Sequence, residues 1–197
     1  MAMYAPDMTM ERARALYFEA NGFGEDGGYN KKVDWFELGP LRLPIPNPPA
    51  RRKALLMHDA NHVLTEYATD WRGEFEIAGY EVGTGCGRVW IGWALNLGGM
   101  AVGMALMPRR VIKAFYRGRQ ARSIYTDPDP QRFLKMRVGE ARAELEVDGD
   151  APPTPRDRLA LLGWTGVAAL VGIIELAVLF APAGLAAYAV AALVGLV

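Results

Sequence analysis

The chain has two histidines, His58 and His62, four residues apart. A helix advances ~100° per residue, so positions i and i+4 share a face one turn apart. Asp59, three residues before His62, borders the same face. Two imidazoles and a carboxylate offered from one turn form a donor set for a transition metal. Glu74 cannot join them from the same straight helix, because it would lie ~18 Å beyond His62. It joins only if the chain reverses near Asp70 to Gly73 and a second helix returns it. Gly73 supplies a break at that point. The competing reading is an exposed or satisfied core pair of histidines with no ion. A metallohydrolase using Asp59 as base is a weaker match. Zincins carry His-Glu-x-x-His, and Asp59 is one methylene shorter than the glutamate of that slot. Glu81 shares the Glu74 face. It either orients a histidine N–H or is a solvated surface carboxylate, and the surface position is the expectation.

These residues need helices to hold them. Thr9 caps a first helix with Glu11 in its first turn, and Met10, Ala13, Tyr17 and Ala20 repeat at core spacing. Asn21-Gly22 stops it. A Gly-rich loop follows, then Val33 to Leu38, which has weak extended character. Pro40, Pro44, Pro46, Pro48 and Pro49 predict an irregular extended connector, with Leu41, Leu43 and Ile45 packing along the domain. The histidine helix starts near Pro49, with Asn47 a candidate cap. The helix bearing Glu74 ends at Gly83, Gly85 and Gly87. Arg88 to Met107 is strongly apolar and reads as a buried central helix or a membrane entry.

Arg109, Arg110, Lys113 and Arg117 follow, interleaved with Val111, Ile112, Phe115 and Tyr116. They are a solvated face, a contact for anionic lipid head groups, or a partner for a substrate carboxylate. A helix after Pro130 carries the stripe Leu134, Val138, Ala141 and Leu145. The expected division is a helical domain at 1–147, a linker at 148–158 and a hydrophobic membrane segment at 159–197. Leu159 to Phe180 contains one charge, Glu175, and reads as a transmembrane helix with a cytoplasmic N-side. Pro182 and Gly184 predict a turn into a short re-entrant, tilted or thin second span. The fold class is therefore all-α, with a C-terminal hydrophobic hairpin or anchor. Over 197 residues the net charge is zero, so nucleic acid is an unsuitable partner, and the single Cys86 excludes an internal disulfide. The first residues lack the apolar run of a secretory signal.

His-Asp-x-x-His, an eleven-residue gap from Val63 to Gly73, then Glu74, resembles the motif of the ubiquinone (coenzyme Q) biosynthesis family called Coq-four. The runs HDANHVLTEYATDWRGEFEIAGYE and GWALNLGGMAVGMALMPRRVIKAFYRGR also look like bacterial members, and the resemblance covers roughly residues 10 to 147. It implies a helical protein holding a metal through His58, Asp59, His62 and Glu74, with an apolar groove for an isoprenoid tail. It implies action on a prenylated aromatic-acid precursor, whose ring carboxylate is replaced by hydroxyl. It also implies association with other quinone-biosynthesis enzymes, and it favours burial of the 88–107 helix over membrane entry. The alternative role is a non-catalytic scaffold that presents the prenyl lipid to those enzymes. Apart from the resemblance, a homodimer is a possible assembly, and Arg156 and Arg158 before the apolar segment predict a main domain on the cytoplasmic side of a bacterial inner membrane.

Two imidazoles and two carboxylates suit a divalent metal, zinc first, with iron or manganese also fitting. Four protein ligands would close a zinc tetrahedron, whereas three leave a position for water or substrate. The chain shows no flavin or dinucleotide fingerprint; GTGCGR from Gly83 lacks the preceding strand.

Overall fold

The computed structural model describes residues 3–38 and 41–193. Seven α-helices form the framework among them: α1 Met10–Asn21, α2 Pro49–Thr65, α3 Trp71–Thr84, α4 Trp90–Leu106, α5 Pro108–Gln120, α6 Val138–Glu144 and α7 Pro155–Leu193. The one addition to the all-α expectation is a hairpin of β1 (Val33–Leu38) and β2 (Leu41–Pro46).

That hairpin corrects the irregular connector expected from the prolines. Pro44 pairs with Trp35 and Pro46 with Val33, two residues apart on an antiparallel ribbon. Both prolines therefore have the same orientation in the ladder. A two-stranded ribbon has an open edge that needs no N–H from them. The side chains of Leu41, Leu43 and Ile45 lie outside the described residues.

α1 starts as its sequence requires, with Thr9 Oγ1 accepting the Arg12 N–H at 3.3 Å. Gly22 ends it in the left-handed region at φ 67°. Met10, Ala13, Tyr17 and Phe18 are buried on it; Ala20, expected in the core, is exposed. α2 begins at Pro49 as expected, but Asn47 does not cap it. The Asn47 amide donates to the Lys31 carbonyl at 3.0 Å and accepts from Arg51 at 3.2 Å.

The chain then reverses. Glu66 closes α2 at φ 59°, and the Asp70 carboxylate caps α3 by accepting the Gly73 N–H at 2.8 Å. Gly73 is required there, because a Cβ would overlap the Ala68 backbone. Two arginines finish α2 from outside, supplying donors for carbonyls that have no partner within the helix. Arg142 donates to Leu64 O at 2.7 Å and Arg117 to Thr65 O at 3.0 Å.

α3 is the inner helix of the second half, packed between α4 and α5. Its approach to α5 is close because glycines meet backbone: a Cβ on Gly118 would strike the Tyr80 carbonyl, and one on Gly83 the Phe115 carbonyl. One apolar core lies among α1, α2, α6 and the 3-10 turns, with Met10, Met57, Leu64 and Phe133. A second lies among α3, α4, α5 and α7, with Val82, Met100, Phe115 and Leu161. The single helix expected after Pro130 is instead a 3-10 turn, Pro130–Lys135, and then α6. Val138, Ala141 and Leu145 are buried there, while Leu134 is half-exposed.

Two expectations about the C-terminal part are corrected. The linker is shorter than 148–158, because Thr154 and Asp157 cap each other's backbone N–H and α7 starts at Pro155. No hairpin forms at Pro182: α7 is continuous to Leu193. Pro155–Ala181 is long and apolar enough to cross a membrane by length and composition. α4 is also less covered than expected, with Leu95, Val102 and Leu106 exposed on one outer face and Trp90 exposed at its start.

Candidate metal centre

α2 brings His58 and His62 onto one face, and the reversal at Gly73 returns Glu74 to them. His58 Nε2 lies 3.2 Å from His62 Nε2 and 3.3 Å from Glu74 Oε2. His62 Nε2 lies 3.4 Å from Glu74 Oε1. The expected meeting of these three residues is therefore observed, and they could hold one ion. Asp59 is not in this group. Its carboxylate accepts hydrogen bonds from Tyr17 at 3.4 Å and Tyr29 at 2.5 Å.

The outer nitrogens fix the inner ones. His62 Nδ1 bonds the Tyr67 carbonyl at 2.9 Å. A carbonyl only accepts, so the proton is on Nδ1, and Nε2 of the neutral ring carries a lone pair. His58 Nδ1 lies 3.3 Å from Glu81 Oε2. A proton on that nitrogen faces a carboxylate, which again leaves a lone pair on the inner Nε2 of the neutral ring. Two nitrogen lone pairs and a carboxylate thus converge. Their separations match the edges of a tetrahedron, about 3.3–3.4 Å for metal–ligand bonds of 2.0–2.1 Å. The donor set and its spacing fit a divalent ion.

Glu81 corrects the surface expectation. It is fully buried. Asn61 donates to Oε1 at 2.7 Å, while Asn96 at 2.5 Å and Tyr125 at 2.8 Å donate to Oε2. Burial opposes its charge, but His58 and these donors outweigh burial and hold its carboxyl below the usual range. Burial also opposes charge on Glu74, and the nearby His58 and His62 bring that carboxyl down to about 2. Burial works against a proton on His58, yet Glu81 and Glu74 together raise its pKa well above the ordinary value. Asp59 moves the other way, raised by burial more than its partners lower it. Burial and the Asp59 charge raise Tyr17 and Tyr29, so both phenols stay protonated as donors.

Asn61, Asn96, Tyr125, Tyr17 and Tyr29 are the site residues that spacing alone does not reveal. Asn96 had a signal: it is the only polar side chain in the apolar run of α4. The tyrosines come from distant segments and had none. The Tyr17 ring also stacks on His62, with centroids 5.4 Å apart.

A pocket of about 170 Å³ lies over the cluster, lined by Tyr17, Phe23, Gly27, Leu55, His58, Asp59 and Glu74. That is close to the ~150 Å³ of an apolar cavity that admits one benzene ring. Glu74 is the exposed member, with 42% of its side chain accessible against none for His62.

The four basic candidates divide. Arg117 is committed to the fold: besides Thr65 it donates to the Val147 carbonyl at 3.0 Å and covers the Tyr67 ring. Arg110 makes a two-pronged pair with Glu76 at 2.9 and 2.7 Å. Arg109 and Lys113 are exposed on α5.

Compared with known proteins, the chain matches no family model, no curated protein and no solved structure.

Proposed function

We propose that this is a membrane-anchored, metal-dependent enzyme of ubiquinone (coenzyme Q) biosynthesis, acting on a prenylated aromatic-acid precursor. The observation that carries the reading is the convergence of His58 Nε2, His62 Nε2 and Glu74 at ligand spacing beside a ring-sized pocket. The resemblance of the His-Asp-x-x-His…Glu spacing to the Coq-four family supplies the substrate class. Zinc fits the two imidazoles and the carboxylate, and iron or manganese also suits them. With three protein ligands, one tetrahedral position is left for substrate, the arrangement of a catalytic rather than a structural site.

In this reading His58, His62 and Glu74 hold the ion. It would act as a Lewis acid on an oxygen of the aromatic acid, drawing electron density as CO₂ leaves. Glu81 keeps His58 turned so that Nε2 faces inward. Asp59, itself in the pocket wall, fixes Tyr17 beside it, and Tyr17 shapes that wall and excludes water from the ring. The hydroxyl that replaces the carboxylate requires dioxygen and an external reductant. α7 would anchor the chain in a bilayer, with the main domain on the cytoplasmic side.

The test uses a prenylated aromatic acid labelled with ¹³C in its carboxyl group, supplied with dioxygen and a reductant. Protein loaded with zinc, iron(II) or manganese should release labelled CO₂. His58→Ala should abolish release while retaining binding of the prenylated acid. If wild-type protein binds that lipid and never releases CO₂ with any of these ions, the non-catalytic scaffold replaces the enzyme.

A further inference from the structure

The path of α7 has a consequence for α4. Trp93 stacks on Trp164 with ring centroids 4.7 Å apart. About two turns further along, a Cβ on Gly172 would touch Ala101. The residue offset is the same in both pairs, so α4 and α7 run side by side in the same direction. By that register α4 extends from the level of Leu161 to that of Ala177. The stretch of α7 from Leu161 to Ala177 is therefore level with α4 along its whole length. α7 cannot place this part in hydrocarbon without α4 entering as well.

The outer faces agree with that placement. α4 exposes Trp90, Leu95, Val102 and Leu106, and α7 exposes Leu162 and Ile173 among others. No charged residue lies between Arg88 and Arg109. The one charge of α7 after Arg158 is Glu175, which is exposed and whose carboxylate lies against Gly98 of α4. Glu175 apart, the α4–α7 pair carries no charge between Arg88 and Arg109 or after Arg158. A soluble helix as apolar as α7 would be covered nearly all round, yet only 6% of its most apolar window is buried. Cations bracket α4 at both ends: Arg88 precedes it, and Arg109 and Lys113 follow it, all exposed. Cations at such margins meet anionic head groups.

We propose that the outer face of α4 is a second lipid-contacting surface, and that the domain rests its α4–α7 side against a bilayer. This rests on the membrane-anchor reading of α7 and extends it to a helix inside the main domain. The occupant is lipid rather than a second copy of the chain, because the face is uniformly apolar and rimmed by cations on its own chain.

Spin labels placed by Leu95→Cys, Val102→Cys and Leu106→Cys in the full chain, reconstituted in phosphatidylethanolamine–phosphatidylglycerol vesicles, test it. Leu162→Cys reports α7, and Glu140→Cys on α6 reports the aqueous side. The α4 labels should collide with oxygen far more than with a water-soluble nickel chelate, as at residue 162, and opposite to residue 140. If residue 162 is lipid-exposed while the α4 labels meet nickel, the α4 inference fails and the anchor stands. If residue 162 also meets nickel, the anchor itself fails. Dipolar broadening among α4 labels at high protein-to-lipid ratio, lost on dilution with unlabelled protein, would assign the face to a second copy and overturn the proposal.

Discussion

His58 and His62 face each other through their Nε2 atoms at 3.2 Å, with each Nδ1 turned outward, to Glu81 in one ring and to the Tyr67 carbonyl in the other. In the ion-free protein a proton on His58 Nε2 would satisfy His62 and Glu74 in part. A divalent ion held there would replace that proton and meet all three donors at once. The competition between proton and ion governs how this centre responds to mutation and to pH.

Glu81 acts through His58. Glu81→Gln keeps the shape but loses an acceptor for Asn96 or Tyr125 and the charge facing His58. Ion affinity should fall about 10–100-fold, the usual cost of losing such a partner. Competition titration with a chromophoric chelator measures it. Glu81→Ala should cost more, about 3–5 kcal/mol of stability, because three buried donors and His58 lose their partner. An affinity unchanged in Glu81→Gln would separate this carboxylate from the metal centre.

The pH dependence has a worked sign. His58 has a raised folded pKa, so its stabilisation is complete below the ordinary value of 6.5 and is lost as pH rises through the folded value. Glu74 is depressed, so its stabilisation is present above the ordinary 4.5 and is lost as pH falls toward about 2. Ion-free stability should therefore be flat between these ordinary values and fall on either side. Ion binding at neutral pH should release about one proton. Calorimetry in buffers of different ionisation enthalpy counts that proton, and zero release would mean His58 is already neutral.

Much of this centre was legible beforehand. The four-residue histidine spacing and the break at Gly73 predicted two helices closing on one point. Asp59 stands outside the three converging donors, because spacing gives a residue's face only to within about a quarter turn. Its carboxylate lies on the flank where Tyr17 and Tyr29 arrive from α1 and the following loop, and no local pattern announces them. Glu81 was misread for a related reason: a lone glutamate at helical spacing looks like a solvated one until Asn61, Asn96 and Tyr125 come together from three segments. Prolines misled twice. Pro44 and Pro46 are tolerated on the open edge of a ribbon. Pro182 is accommodated within α7, where it had predicted a turn.

The α3–α5 contact predicts a backbone-limited substitution. Gly118→Ala would drive a methyl group into the Tyr80 carbonyl. Separating the helices should cost about 1–3 kcal/mol, the range for overpacking a close contact. Urea denaturation measures it. Because Tyr80 is one residue from Glu81, ion affinity should fall in parallel. Wild-type stability would show that the two helices have slack at this crossing.

Arg117 and Arg109 should separate by role. Arg117→Ala removes donors from the Thr65 and Val147 carbonyls and should destabilise the fold by about 1–3 kcal/mol. Arg109→Ala, at an exposed position, should leave stability within about 0.5 kcal/mol. It should instead weaken binding to anionic vesicles by about 1 kcal/mol, as co-sedimentation reads.

The most direct test of the metal centre is X-ray absorption on purified chain, coupled to elemental analysis of wild type and His62→Ala. The account predicts one divalent ion per wild-type chain, with two imidazole nitrogens and carboxylate oxygen at about 2.0–2.2 Å. It predicts loss of that ion in the variant. Wild-type chain that takes up no ion, or His62→Ala holding the same ion in the same shell, would contradict it.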